Sequence, residues 1–210
     1  MPRSAPFERH TDRYEDWFEG HEAAYESELA ALGDLRPDPG HGLEIGVGTG
    51  RFAAPLGFEV GLDPAGAMLA VARDRGIAPI RGVAEDLPFG DRVFDSALLV
   101  TTVCFVDDLE ATLREARRVL APDGAVLVGY IDRESPVGEI YLERKEANPF
   151  YREATFVSTD ELLAVMEDAG FGDIEAAQTV FSWPGEMTEP DPVVPGYGDG
   201  SFVAIRGMVE

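Results

Sequence analysis

The stretch LEIGVGTGRFAAP, residues 43–55, decides how the chain is read. Gly46, Gly48 and Gly50 alternate behind a short apolar run and ahead of a helical pattern. A glycine turn between strand and helix lets a ligand approach the backbone, because no Cβ stands in the way. From Gly48 the letters also spell G-x-G-x-x-A, the dinucleotide fingerprint. The next apolar run, FEVGLD (58–63), ends on Asp63, 17 residues after Gly46. A carboxylate there can accept from both hydroxyls of a ribose. Loop and acid together point to an adenosine-containing ligand and leave its kind open.

From Gly42 onward the chain alternates short apolar runs with helical patterns, the signature of a parallel sheet covered on both faces. The pattern predicts strands near 42–46, 58–62, 78–82, 94–100 and 124–130, with helices near 50–56, 65–75 and 108–120 between them. Asp107 or Asp108 caps the last of these helices, Arg114, Arg117 and Arg118 suit its C-terminal dipole, and APDG (121–124) stops it. Upstream, residues 12–32 space Tyr14, Trp17, Phe18, Ala24, Tyr25, Leu29 and Leu32 mostly at three- and four-residue steps. That spacing predicts one helix with an aromatic face, weakened at Gly20 and ended by RPDPGHG (36–42).

Residues 132–156 are mixed in character and predict a lid or insertion. Ser158 with Glu161 three residues later has the spacing of a capping box and opens a helix carrying Leu162, Leu163, Val165 and Met166. Residues 172–183 and 200–209 then predict an antiparallel strand pair, and the Pro/Gly-rich connection of 184–200 is either functional or disordered. The expected layout is a single domain: a helical cap (1–36), a cofactor-binding core (40–131), an insertion (132–157) and a closing helix with a strand pair (158–210).

A chain of 210 residues with 45% hydrophobic composition is long enough for one well-buried α/β core and short for two. Its 40 acids against 17 bases give a net charge of −23, and Lys145 is the only lysine. Such a chain repels phosphate backbones, so no nucleic-acid substrate is expected, and the spread of acids suggests a solvated surface of the salt-tolerant kind. Cys104 is the only cysteine, which excludes an intramolecular disulfide and a cysteine zinc cluster. His10, His21 and His41 have no metal-ligand spacing, so no metal is expected. No apolar run reaches the roughly 18 residues of a membrane span, and MPRSAPFERHTDRYEDW has no apolar segment after its basic start. The expectation is a cytoplasmic protein that keeps off membranes.

The adenosine ligand could be a dinucleotide or a sulfonium. A dinucleotide needs a helix N-terminus aimed at a pyrophosphate, whereas S-adenosylmethionine carries an ammonium, a carboxylate and a sulfonium. Glu44, two residues before Gly46, can offer negative charge to those cations; equally it can be a buried acid satisfied by loop amides. The later segments discriminate. VGLDPAGAMLAVAR (60–73), GVAEDLPFGDRVFDSALLV (82–100) and LREARRVLAPDGAVLVGY (113–130), taken with LEIGVGTGRF, resemble the class I S-adenosylmethionine-dependent methyltransferases, in particular their small-molecule, type 11-like branch. The resemblance is close over 40–131 and looser to 208.

The resemblance implies an α/β fold: a three-layer Rossmann-like sandwich on a seven-stranded, mostly parallel sheet whose last strand is antiparallel. It also implies S-adenosylmethionine as cofactor and a small molecule as methyl acceptor. Residue by residue it implies that Gly46, Gly48 and Gly50 wrap the methionine part and Asp63 binds the ribose. Pro64 and Met68 line the adenine pocket, Ala84 gives a backbone amide to the ring, and Glu85 or Asp86 lies near its amino group. Relatives often have Asp where this chain has Val83. The first crossover, RFAAPLGFEV (51–60), holds only about two helical turns and implies a shallower pocket on that side.

On the acceptor side, VTTVCFVDD (100–108) runs past the C-terminal end of the fourth strand, where open α/β sheets place reacting groups. Thr101 and Thr102 contact ligand or satisfy loop amides. No histidine stands near Cys104 or Phe105, which excludes a histidine base there, and Cys104 reads as a small buried hydrophobe. NPFY (148–151) reads as a turn with two aromatics. A sulfonium methyl is already activated, so alignment and exclusion of water suffice, and no residue is assigned as catalytic acid or base. For a hydroxyl or enol acceptor, Tyr14, Asp132, Tyr141 and Tyr151 are lid and rim candidates, each of which can equally be structural, and Tyr14, Trp17 and Phe18 either close over the ligand or pack the core. Two alternatives to a methyltransferase remain: a non-catalytic S-adenosylmethionine-binding accessory protein and a NAD(P)-dependent oxidoreductase.

Overall fold

A computed structural model describes residues 4–38 and 40–210. The basic start at 1–3, read above for a leader, and Pro39 of the predicted breaker lie outside the described residues.

Three helices open the chain: α1 (Ala5–Arg9), α2 (Thr11–Gly20) and α3 (Glu22–Leu35). The single helix expected over 12–32 is two, broken at His21 (φ −135°, ψ 43°), one residue after the weak Gly20. The His21 Nδ1 lies 2.7 Å from the Trp17 carbonyl oxygen, closing the end of α2. The core then runs β1 (Gly42–Ile45), α4 (Ala53–Leu56), β2 (Val60–Asp63), α5 (Gly66–Asp74), β3 (Ala78–Arg81), β4 (Phe94–Val100), α6 (Leu109–Val119) and β5 (Leu120–Ile131). The rest is α7 (Pro136–Arg144), α8 (Thr159–Asp168), β6 (Phe171–Thr179), β7 (Val194–Pro195) and β8 (Phe202–Val209).

The sheet order is β3-β2-β1-β4-β5-β8-β6-β7, with β1 to β5 parallel and β8 antiparallel between β5 and β6. The sheet has eight strands where seven were expected. The extra one is β7, which pairs only Val194 and Pro195 with β6 inside the connection expected to be functional or disordered. That connection is tied down: the Asp191 amide donates to Ser27 Oγ on α3 (2.9 Å), and the Asp191 carboxylate accepts from the Phe181 amide (2.7 Å).

Alternate residues of the central strands feed two apolar layers. Leu99, Val126 and Val128 pack with Leu113 of α6 and Met166 of α8. Leu98 and Leu127 face the other way, onto Leu32 of α3 and, in the same layer, Leu69 of α5. The helix ends follow the side chains read for them. Asp108 Oδ1 accepts from the Ala111 amide (2.8 Å), and Ser158 with Glu161 forms a complete capping box. APDG stops α6 as predicted but is absorbed into β5, where Asp123 takes φ +67° and the register with β4 shifts. Among the described residues no helix is long and apolar enough to cross a membrane.

Candidate active site

The strand order reverses between β1 and β4, and their C-terminal ends open a crevice where such sheets bind ligands. Two glycines of the loop after β1 are required by that geometry. Gly46 has φ +77°, and a Cβ there would run into the Thr102 side chain; Gly48 has φ +51° and faces the Tyr14 ring. The Gly46 and Val47 amides donate to the Leu62 carbonyl (2.7 and 2.9 Å), stitching the loop to the end of β2.

Asp63 ends β2 with 9% of its surface exposed. Its Oδ2 accepts from the Gly48 amide (2.9 Å) and its Oδ1 from the Ala65 amide (2.8 Å). Burial pushes its pKa up against the pull of those two amides. Each carboxylate oxygen keeps a second lone pair, so the group holds the loop and still has capacity for a ligand hydroxyl.

Between these elements lies a cavity of about 340 Å³. Gly46, Gly48, Asp63, Pro64, Ala84, Glu85 and Thr101 line it, so seven of the ten residues singled out for the cofactor converge there, joined by Tyr14 and Thr102. Glu44, Gly50 and Met68 are not part of its wall. Gly50 (φ +79°) packs against Ile77 and Ala72, and Met68 is fully buried. Glu44 is 1% exposed, one of its oxygens has no partner, and burial drives its pKa well above the carboxylate range against a bond from the Ala53 amide. Glu85 Oε1 accepts from the Asp107 and Asp108 amides (2.7 and 3.4 Å), which ties the segment after β3 to the start of α6.

Thr101 and Thr102 both line the cavity. Thr102 Oγ1 lies 3.1 Å from both the Ile45 and Val100 carbonyl oxygens and joins the ends of β1 and β4. Thr101 adopts φ +49°, a strained backbone of the sort found at functional sites, and lines the cavity. Cys104 is buried, with its thiol 3.3 Å from the Thr101 carbonyl.

A second chamber of about 110 Å³ adjoins the first, and Phe7, Tyr14, Thr101 and Phe105 line both. Its remaining wall comes from α2 and α3 on one side, from Tyr141, Asn148, Phe150 and Tyr151 of the 132–157 segment on the other, and from Phe52 and Ile131. NPFY is a turn, with Asn148 Oδ1 accepting from the Phe150 amide (3.0 Å), and its aromatics face this chamber. Asp132 is buried away from the rim, where it accepts from Thr159 Oγ1 (2.7 Å). Burial pushes the phenols of Tyr14, Tyr141 and Tyr151 upward, so they stay neutral and are poor bases. The sequence reading missed Phe7, Glu28 and Phe150; the available signal was an unusual density of aromatics in two segments far apart in the chain.

The cap is latched to the glycine loop by Glu15 of α2. Its carboxylate accepts from Arg51 Nη2 (2.7 Å) and from Arg75, while Arg75 Nη1 also donates to the Thr49 carbonyl (2.6 Å). Burial works to raise the Glu15 pKa, but the hydrogen bonds from Arg75 and Arg51 prevail and hold it at about 2. A depressed carboxylate contributes stability above its unfolded value of 4.5, and that contribution is lost as pH falls toward 2. Glu15→Gln should therefore cost about 1–2 kcal/mol at pH 7, allowing for solvent screening, and almost nothing at pH 2. Urea denaturation of both proteins across that range checks it; a pH-independent difference would refute the latch.

Residues 43–128 match the methyltransferase-domain family. Over the whole chain the protein is similar to a solved S-adenosylmethionine-dependent methyltransferase of Thermotoga maritima, described as a possible histamine N-methyltransferase. The two are 48% identical with a TM-score of 0.96, covering 99% of this chain and 100% of that one. An uncharacterised protein of Methanocaldococcus jannaschii is 41% identical over 95% of this chain and 96% of its own length. A ubiquinone biosynthesis O-methyltransferase of Azorhizobium caulinodans is 34% identical, over 66% of this chain and 61% of that one.

Proposed function

The chain belongs to the class I S-adenosylmethionine-dependent methyltransferases of the type 11-like kind, and from that membership we propose that it methylates a small molecule held in the chamber next to the cofactor cavity. The observation that carries this reading is the wall shared by the two cavities, Phe7, Tyr14, Thr101 and Phe105. Two ligands meeting at one wall are placed for a direct transfer, and a chamber of about 110 Å³ between cap and insertion suits a small acceptor better than a polymer. The acidic surface argues the same way, against nucleic acid.

S-adenosylmethionine is the cofactor, and bound it would supply an already activated sulfonium methyl group, with S-adenosylhomocysteine as the leaving product. The glycine cradle at Gly46 and Gly48, the ribose-sized polar capacity of Asp63 and the apolar wall of Pro64 and Ala84 fit its parts. In this reading Asp63 binds the ribose, Pro64 and Ala84 hold the adenine, and the backbone at Gly46 and Gly48 wraps the methionine part. Glu44 and Gly50 act indirectly, by shaping the loop, and Met68 packs α5 against the core behind the adenine side. The protein's own contribution to the transfer is alignment and exclusion of water by the aromatic cap, with neutral tyrosines around the reacting atoms.

S-adenosylhomocysteine should raise the melting temperature clearly, whereas NAD and NADP should leave it unchanged. Mixed small-molecule acceptors should then release S-adenosylhomocysteine from S-adenosylmethionine. Stabilisation by the nicotinamide cofactors alone, or methylation of RNA in preference to every small acceptor, would overturn the proposal.

A further inference from the structure

Glu28 lies on α3 among fully buried neighbours, Ala24, Ala31 and Leu32, and is itself only 7% exposed. Nothing in the packing explains a carboxylate there. Among the described residues no hydrogen bond or ion pair reaches it, and adjacent Ser27 spends its hydroxyl on the Ala23 carbonyl and the Asp191 amide. The side chain lines the second chamber, whose other walls include Tyr14, Phe18, Phe105, Phe150 and Tyr151. A buried carboxylate without a partner is costly unless a ligand completes it. Aromatic faces carry negative charge density and favour a cation, as the carboxylate does.

Resting on the methyl-transfer reading above, we infer that the acceptor is a small organic molecule bearing an ammonium group and that Glu28 is the residue selecting it, through an ion pair with that ammonium inside the aromatic chamber. The methyl goes to a different atom of the same molecule that keeps its lone pair. The charged and titratable groups facing the same chamber are Arg13 and Tyr14 from α2, Tyr141 from α7 and Tyr151 beyond it. Arg13 is exposed at the surface and solvated, and the three tyrosines stay neutral. Glu28 is thus the one group among them able to supply negative charge. The same molecule with a hydroxyl in place of the ammonium would gain a single hydrogen bond and leave the rest of the site unmatched.

Burial raises the Glu28 pKa to about 8, so the chamber without ligand holds it mostly protonated at pH 7. An arriving ammonium ion draws it into the ionised form, and the proton goes to the buffer. Amine binding is therefore accompanied by proton release, whereas binding of a neutral analogue is not.

The test uses the full chain saturated with S-adenosylhomocysteine, titrated calorimetrically at pH 7 with benzylamine and, separately, with benzyl alcohol. Benzylamine should bind at least about tenfold more tightly, with a heat that differs between phosphate and Tris in the sense of proton release. Glu28→Gln, which keeps the shape and removes the charge, should lose that preference and the buffer dependence while binding S-adenosylhomocysteine as the parent does. Equal affinity for the two probes, no binding of either, or an amine preference that survives Glu28→Gln overturns the inference and leaves methyl transfer standing. Failure to bind S-adenosylhomocysteine at all removes both. The comparison of probes and buffers on the parent protein needs no variant, so it decides the matter even if Glu28→Gln does not fold.

Discussion

Asp63→Ala is expected to weaken S-adenosylhomocysteine binding by about 2–3 kcal/mol, roughly 30- to 150-fold in dissociation constant. The expectation has two parts. A carboxylate at the end of β2 is placed to accept from ribose hydroxyls, and bonds to a charged group are worth about 1.5–3 kcal/mol. The same carboxylate also accepts from the Gly48 and Ala65 amides, so its removal frees the loop that the cofactor must find in place. Asp63→Asn separates the parts: its amide oxygen can replace one acceptor and its NH2 opposes the second loop amide. Calorimetry on folded variants should order the affinities as parent, Asn, Ala; an unchanged constant for Ala would remove Asp63 from the site.

Gly46→Ala should be as damaging to cofactor binding, for steric reasons. A non-glycine residue at φ +77° costs about 1–2 kcal/mol, and here the added methyl also meets the Thr102 side chain. Thr102 cannot simply turn away, because its hydroxyl bridges the ends of β1 and β4. We expect more than about tenfold loss of S-adenosylhomocysteine affinity together with a stability loss of about 2–3 kcal/mol in urea. Thr102→Ala should relieve part of the clash, so the double variant should be less destabilised than the sum of the two single ones. Strict additivity would show that the methyl and Thr102 do not meet.

The sequence carried the core well because its signals are local. An apolar run, a glycine turn and an acid 17 residues on specify strand, loop and next strand end without distant partners, and Gly46, Gly48 and Asp63 do converge on one cavity. Glu44 sits in the same motif yet does not reach that cavity, since period-2 alternation says which face a residue takes but not whether a loop covers it. The break at His21 was missed because aromatic spacing continues across it in register. The second chamber was illegible for a different reason. Phe7, Glu28 and Phe150 come from three segments joined only by tertiary packing, and an acid in an apolar helix face looks like any surface glutamate until its neighbours are known. The extra strand, β7, is a pairing of two residues and has no pattern of its own length to reveal it.

Phe7, Tyr14, Thr101 and Phe105 line both the larger cavity and the second chamber. In the reading proposed above, cofactor and acceptor share these four side chains as one wall, so a rotamer chosen by one ligand bounds the space of the other and their affinities are expected to be coupled. Reciprocity then makes the coupling equal in both directions: the factor by which the cofactor sharpens acceptor affinity is the factor by which the acceptor retains the cofactor. An acceptor that fits poorly would loosen its own methyl source.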